Sequence, residues 1–189
     1  MNLEERQYLL NIAEASIREG VAHGHPLRPD VSEADAALLE PGAAFITLRR
    51  GGRLRGCIGT FFAHRSLLED IAENAYRAAF SDPRFPALES EEIPGLDVHI
   101  SILSPAVPMV FDSEADLIRQ LRPGVDGLLI EAGARRATFL PSVWEEVPAP
   151  EDFLGYLKRK AGLPPSYWSD VFKASRYTTE NFGGVIRAD

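Results

Sequence analysis

Ala43-Ala44-Phe45-Ile46-Thr47-Leu48-Arg49-Arg50-Gly51-Gly52-Arg53-Leu54-Arg55-Gly56-Cys57-Ile58-Gly59-Thr60 is the stretch that decides the fold. Two β-type runs flank Arg50-Gly51-Gly52-Arg53, and a Gly-Gly pair supplies the positive φ angles of a tight hairpin turn. With Gly51 and Gly52 in the turn, Leu48 is expected opposite Arg55, Ile46 opposite Cys57 and Phe45 opposite Ile58. Arg55, Cys57 and Gly59 then share one face of the second strand, and Leu54, Gly56 and Ile58 take the other.

Helices are expected on both sides of this hairpin. Upstream, Leu9, Leu10, Ile12, Ala13 and Ile17 recur at close to 3.6 residues, which predicts an amphipathic helix over 3–19. A long connection with His23 and His25 follows, with one turn of helix expected at 33–39. Downstream, Ser66-Leu67-Leu68-Glu69 is a capping box that opens a helix running to about Phe80, with Leu68, Ile71, Ala72, Ala75 and Ala79 as its apolar stripe. Ser81-Asp82-Pro83-Arg84-Phe85-Pro86 stops that helix, because proline disfavours helical geometry in the residue before it.

Period-two alternation in Leu96-Asp97-Val98-His99-Ile100-Ser101-Ile102 predicts a strand whose polar face carries Asp97, His99 and Ser101. Ser113 opens a short helix, and 127–132 with 135–140 forms a second hairpin around Gly133. A helix over 150–160 has acids in its first turn and Lys158-Arg159-Lys160 in its last. The tail from Trp168 to Phe182 adds a final strand. This order lacks the strand-helix alternation of a parallel sheet. The expected class is α+β: a mostly antiparallel sheet flanked by helices, forming a single domain over 1–189 with a main body and a smaller subdomain.

Composition narrows the function classes. With 28 acidic against 20 basic residues the net charge is -8, which repels phosphate backbones, so nucleic acid is not an expected partner. The lone cysteine, Cys57, rules out an internal disulfide and a cysteine-rich zinc site, and fits a reducing cytoplasm. No basic n-region and no apolar run near 20 residues occurs, so neither export nor a membrane span is expected. Gly-x-Gly-x-x-Gly, a phosphate-binding loop and Gly-x-Ser-x-Gly are all missing, against ordinary nucleotide and serine-hydrolase chemistry. The sequence identifies no cofactor and leaves the oligomeric state open.

The candidate site centres on Cys57. A thiol one pleat from the Arg55 guanidinium sits in a positive field that favours the thiolate, while a small residue in a central strand also packs well. Arg55 in an apolar strand needs a carboxylate, a carbonyl or an anionic ligand, so an internal salt bridge and a substrate are both open. Gly56 and Gly59 leave room for a ligand or another backbone. If the two strands are neighbours, His99 can serve as base to Cys57, with Asp97 or Asp82 orienting it. Asp82 and Arg84 flank Pro83, where Asp82 suits an Asx-type turn and Arg84 an acidic partner. His23, His25, His64 and His99 lack helical metal-ligand spacing, so no metal is expected.

Five blocks then follow one another in a familiar order. They are Leu54-Arg55-Gly56-Cys57-Ile58-Gly59, Ser81-Asp82-Pro83-Arg84-Phe85-Pro86, Ile100-Ser101-Ile102-Leu103-Ser104, Ala137-Thr138-Phe139-Leu140-Pro141 and Lys160-Ala161-Gly162-Leu163. Together they resemble the AMME chromosomal region candidate protein family, whose prokaryotic branch is called AmmeMemoRadiSam system protein A. The resemblance implies two unequal parts around an antiparallel sheet. It also implies partners among Memo-like and radical S-adenosylmethionine proteins, and no established reaction. The function expected is a soluble domain, an enzyme or accessory component of a modification pathway, that binds a small molecule or protein-borne group at the Leu-Arg-Gly-Cys-Ile-Gly strand. The alternative is a non-catalytic protein-binding module.

Overall fold

The computed structural model describes residues 1–32 and 34–187. Its helices are α1 (Leu3–His23), α2 (Ala36–Leu39), α3 (Leu67–Phe80), α4 (Glu114–Gln120) and α5 (Pro150–Lys160). Its strands are β1 (Ala44–Arg50), β2 (Arg53–Gly59), β3 (Leu96–Leu103), β4 (Val107–Pro108), β5 (Gly127–Ala132), β6 (Arg135–Phe139), β7 (Phe172–Tyr177) and β8 (Thr179–Val185). They form two four-stranded sheets, ordered β2-β1-β3-β8 and β4-β7-β5-β6. The chain is therefore α+β, and it divides into two compact units, residues 1–103 with the segment from Glu180 onward, and residues 104–179.

In the first unit, α1 and α3 cover one face of the sheet. Leu9, Ala13 and Ile17 of α1 pack with Leu68, Ile71, Ala75 and Ala79 of α3 on Ile46, Leu48, Val98 and Ile100 of the strands. The capping box at Ser66 and Glu69 forms as expected. α1 runs a turn beyond the expected end, because Gly24, at φ 76°, provides the left-handed residue that closes it. Of the helical turn expected at 33–39, Ala36–Leu39 is helical and Glu33 lies outside the described residues.

The hairpin forms with Gly51 and Gly52 at positive φ, but its register differs from the two-residue extrapolation. Arg50 pairs with Arg53 and Arg49 with Leu54, and then Leu48 pairs with Gly56, Thr47 with Cys57, Ile46 with Ile58 and Phe45 with Gly59. Arg55 is the extra residue of a β-bulge, and every expected pair beyond it moves by one. Thr47, and not Ile46, is therefore opposite Cys57. The bulge also leaves Arg55 without a partner on β1.

β1 pairs with β3 on its other side, antiparallel, setting Thr47 opposite His99. β8 runs antiparallel to β3: Ile186 exchanges backbone bonds with Gly95 and Leu96 at 2.9 and 2.8 Å, and Gly183 lies under the His99 ring. The tail therefore holds two strands where one was expected, β7 and β8, and they belong to different sheets.

The second unit has its own core of Leu117, Leu128, Ile130, Trp144, Phe153 and Leu157, with the Trp144 and Phe153 rings stacked at 3.7 Å. The hairpin of β5 and β6 turns at Gly133, φ 62°, as its sequence predicts. Ser104 N–H donates to the Thr178 carbonyl at 2.9 Å, and Thr178 N–H donates to Ser104 Oγ at 3.0 Å, so the two ends of this unit are clipped together.

Candidate functional site at the Cys57 strand

β2 is an edge strand, and its residues alternate between peptide groups that face β1 and peptide groups that face outward. Cys57 faces outward. Its N–H donates to Asp82 Oδ2 at 2.9 Å, and its carbonyl accepts from Arg84 NH2 at 3.3 Å. Asp82 reaches this position because α3 ends at Phe80 and Pro83 turns the chain back along the strand. The carboxylate is 4% exposed, accepts the Arg84 backbone N–H at 3.1 Å as in an Asx turn, and pairs with the Arg84 guanidinium at 2.6 and 2.9 Å. Arg84, foremost, holds the Asp82 carboxyl well below its ordinary range, and Asp82 in turn raises Arg84.

Arg55 leaves the strand at the bulge and binds the same returning segment. Its Nε and NH2 donate to the Glu92 carboxylate at 2.8 and 2.9 Å, NH1 to the Pro86 carbonyl at 3.0 Å, and NH2 to the Ala87 carbonyl at 3.3 Å. The Arg55 side chain is 11% exposed. The bidentate pair lowers Glu92 to about 2 and raises Arg55. Arg55, Asp82 and Arg84 thus come together along the outer edge of β2, and the charge of each is met by a neighbour in the fold. The Arg55 guanidinium faces Glu92 and not the thiol.

Cys57 and His99 lie on the sheet face opposite the helices. Cys57 Sγ and Thr47 Oγ1 are hydrogen-bonded at 3.3 Å, and Thr47 is the cross-strand neighbour of His99 as well. β1 separates β2 from β3, so the strands of Cys57 and His99 are not neighbours, and the two residues stand two strand spacings apart, about 10 Å. His99 Nε2–H donates to Asp97 Oδ2 at 2.9 Å, which makes Asp97 and not Asp82 its orienting acid. The His99 side chain is 47% exposed and packs against Gly183, where a Cβ would meet Nδ1 at 2.6 Å. A second ring packs on a glycine: a Cβ on Gly59 would strike the Phe45 ring at 2.2 Å.

Gly56 points to the helix side, where a Cβ would fall 2.0 Å from the Ala78 carbonyl oxygen of α3. Another backbone, not a ligand, approaches it. Gly59 makes room for Phe45. Thr47, Gly183 and Glu92 were missed by sequence reasoning: Thr47 because the bulge shifts it into the row, Gly183 because it lies on an unrecognised strand, and Glu92 because nothing local marks it as Arg55's partner.

The histidines occupy separate places. His23 and His25 stack at 5.8 Å beside Glu19, while His64 is bonded to Phe62 and Arg65. Among the described residues no group of three or more His, Cys, Asp or Glu is placed to hold a metal ion, and no helix is long and apolar enough to cross a membrane.

The AMMECR1 family model matches residues 10–182. The chain belongs to the AMMECR1 family. Its AMMECR1 relatives include a protein of Methanothermobacter thermautotrophicus, 36% identical over 90% of this chain and 88% of that one. Another, from Thermotoga maritima, is 36% identical over 88% of this chain and 91% of its own. Among solved structures, the uncharacterized protein PH0010 from Pyrococcus horikoshii superposes with a TM-score of 0.89 at 32% identity, covering 97% of this chain and 93% of that one. The AMMECR1 fold is thus shared across both units.

Proposed function

We propose that this AMMECR1 domain binds a small molecule or protein-borne group along the row Cys57, Thr47, His99 on the helix-free face of the first sheet, as one component of a modification pathway. The observation that supports it is the continuity of the row: a thiol, a hydroxyl and an imidazole on three adjacent strands, ending in a carboxylate that fixes the imidazole. At about 10 Å from the thiol, His99 is too far to take its proton directly, so a ligand spanning β1 would touch Cys57 at one end and His99 at the other. Arg55, Asp82 and Arg84 hold the strand, Gly56 seats it on α3, and Gly59 seats Phe45 beside it.

Native thiol titration with iodoacetamide tests this. Cys57 should react in the folded protein, and Thr47→Val, which removes the hydroxyl bonded to Sγ, should change the rate severalfold. If Cys57 reacts only after unfolding, the row is not a binding site.

The pairing of all three charged side chains, Arg55, Asp82 and Arg84, with neighbours in the fold favours a second reading, a non-catalytic module whose strand matters for shape. Following the family resemblance, the partners to try are Memo-like and radical S-adenosylmethionine proteins. A module would keep partner affinity in Cys57→Ser and Cys57→Ala, whereas an enzyme would lose turnover. A cytoplasmic setting fits the lone free cysteine.

A further inference from the structure

The two edges of the first sheet are treated differently. On β2, the outward peptide groups of Cys57 are closed by Asp82 and Arg84. β8 is the opposite edge. Ile186 turns both its N–H and its carbonyl toward β3, so by the alternation of a ladder Gly183 and Val185 turn theirs away from the sheet. Both residues are exposed, Val185 at 59%. No proline or lysine interrupts Asn181-Phe182-Gly183-Gly184-Val185, although such residues are the usual guard of an open edge.

A groove of about 560 Å³ runs beside this edge, walled by Gln7, Leu10 and Glu14 of α1 and floored by Val98, Gly183 and Gly184. Its volume suits a few side chains of an extended segment. The missing side chain at Gly183 has a second consequence. A residue of an added strand that projects beside Gly183 on the helix-free face would lie next to the His99 ring, which already covers that glycine.

We infer that the β8 edge accepts an extended, net-basic segment of another polypeptide as a fifth strand, and that this strand delivers a side chain to the His99–Asp97 pair. The inference rests on the row being a binding site, and it names the form in which a protein-borne group would arrive. Main-chain bonds to Gly183 and Val185 supply affinity, and alternate side chains enter the groove and the row, as in strand addition generally. Charge selects the partner through the field of the whole chain: within the groove Glu14 is paired with Arg18 and Arg187 is the other charged lining residue, but the chain carries -8 and Asp97 stands beside the row, so a cationic segment is attracted and an acidic one repelled.

The test uses the whole chain and the acetylated heptapeptide Lys-Val-Lys-Val-Lys-Val-Lys amide, followed by amide and imidazole NMR. Binding should slow hydrogen exchange at Gly183 and Val185 and shift the His99 ring signals. A version of the peptide N-methylated at the residues facing β8 should not bind. Val185→Pro removes an outward donor and leaves the bonds of Ile186 to β3 intact, so it should weaken binding at least about tenfold, the worth of one or two backbone bonds. Unchanged Gly183 and Val185 amides at millimolar peptide would overturn strand addition, while leaving the row to be judged by the thiol titration. Equal binding of the glutamate-for-lysine peptide would overturn the charge preference. Protection that rises with protein concentration alone would overturn the proposal in favour of a second copy of the chain. Protection without any shift of His99 would overturn delivery to the row.

Discussion

At the scale of single residues, Gly56 is the position where the strand motif is least replaceable. A methyl group there would collide with the Ala78 carbonyl oxygen, a backbone atom of a buried helix that cannot step aside cheaply. Gly56→Ala should therefore cost about 3 kcal/mol in urea unfolding, at the upper end of overpacking effects. Gly155 in α5 is the matched contrast, since nothing lies within 4 Å of its added Cβ, and Gly155→Ala should gain up to about 1 kcal/mol from helix propensity. Both glycines look alike as letters. A sequence shows that a glycine is present in a strand, but not whether it leaves space for a ligand or for a helix.

Two carboxylates with opposite shifts give the pH profile two limbs. Glu92, lowered from 4.5 to about 2 by Arg55, contributes stability that is complete above its ordinary value and lost as pH falls from 4.5 toward 2. Asp82 acts in the same direction at still lower pH. Asp70 is the reverse case. It is fully buried, and burial raises it above 3.8 although the Ala44 N–H and Thr60 oppose the shift. Its contribution is therefore complete below its ordinary value and lost as pH rises through its raised one. Urea midpoints measured from acid to mildly alkaline pH should show both limbs. Asp70→Asn should flatten only the upper limb, and a profile with that limb intact would remove Asp70 as its source.

At the scale of elements, the hairpin was legible because Gly51-Gly52 dictates a turn, while the register was not, because a bulge is one extra residue with no composition of its own. That single slip exchanged Ile46 for Thr47 beside Cys57 and so hid the hydroxyl of the candidate site. The capping box at Ser66 and the alternation at Asp97, His99 and Ser101 were readable for the opposite reason, since each is a local rule satisfied locally. β8 was not told apart from β7, because the tail reads as one strand ending at Phe182, and only the neighbouring His99 ring explains why a strand would carry Gly183 beyond that point. In the 82–92 segment the turn at Asp82 and the need of Arg84 for an acid were legible, but its hold on Cys57 and Arg55 emerges solely from the structure. Arg55→Ala should release it from the β2 edge at a cost of about 2–3 kcal/mol, since Glu92, 19% exposed, is left mostly buried without its cation but keeps some access to water. Hydrogen exchange should then quicken at Cys57 and Glu89, whose N–H groups are held by Asp82 and Glu92. Unchanged exchange there would mean the segment is anchored by other contacts.

At the scale of the whole molecule, the expectation of a main body and a smaller subdomain is met, but the order of the pieces could not be read. The second unit is inserted between β3 and β8 of the first, and only pairing between strands distant in sequence reveals this. The consequence is asymmetric. Residues 104–179 contain their own sheet and core, whereas residues 1–103 lack the edge strand that covers β3. Expressed alone, 104–179 should show cooperative unfolding and the near-ultraviolet signal of the stacked Trp144, and 1–103 should aggregate through the uncovered edge. A folded, monomeric 1–103 would show that β8 is dispensable.

The clip between Ser104 and Thr178 also sets an order in time. As the chain leaves the ribosome, the Cys57 strand is made early, yet its sheet cannot close until β8 has followed the whole of the inserted unit. The part begun first is finished last, and until then the nascent protein carries its candidate site on an incomplete sheet.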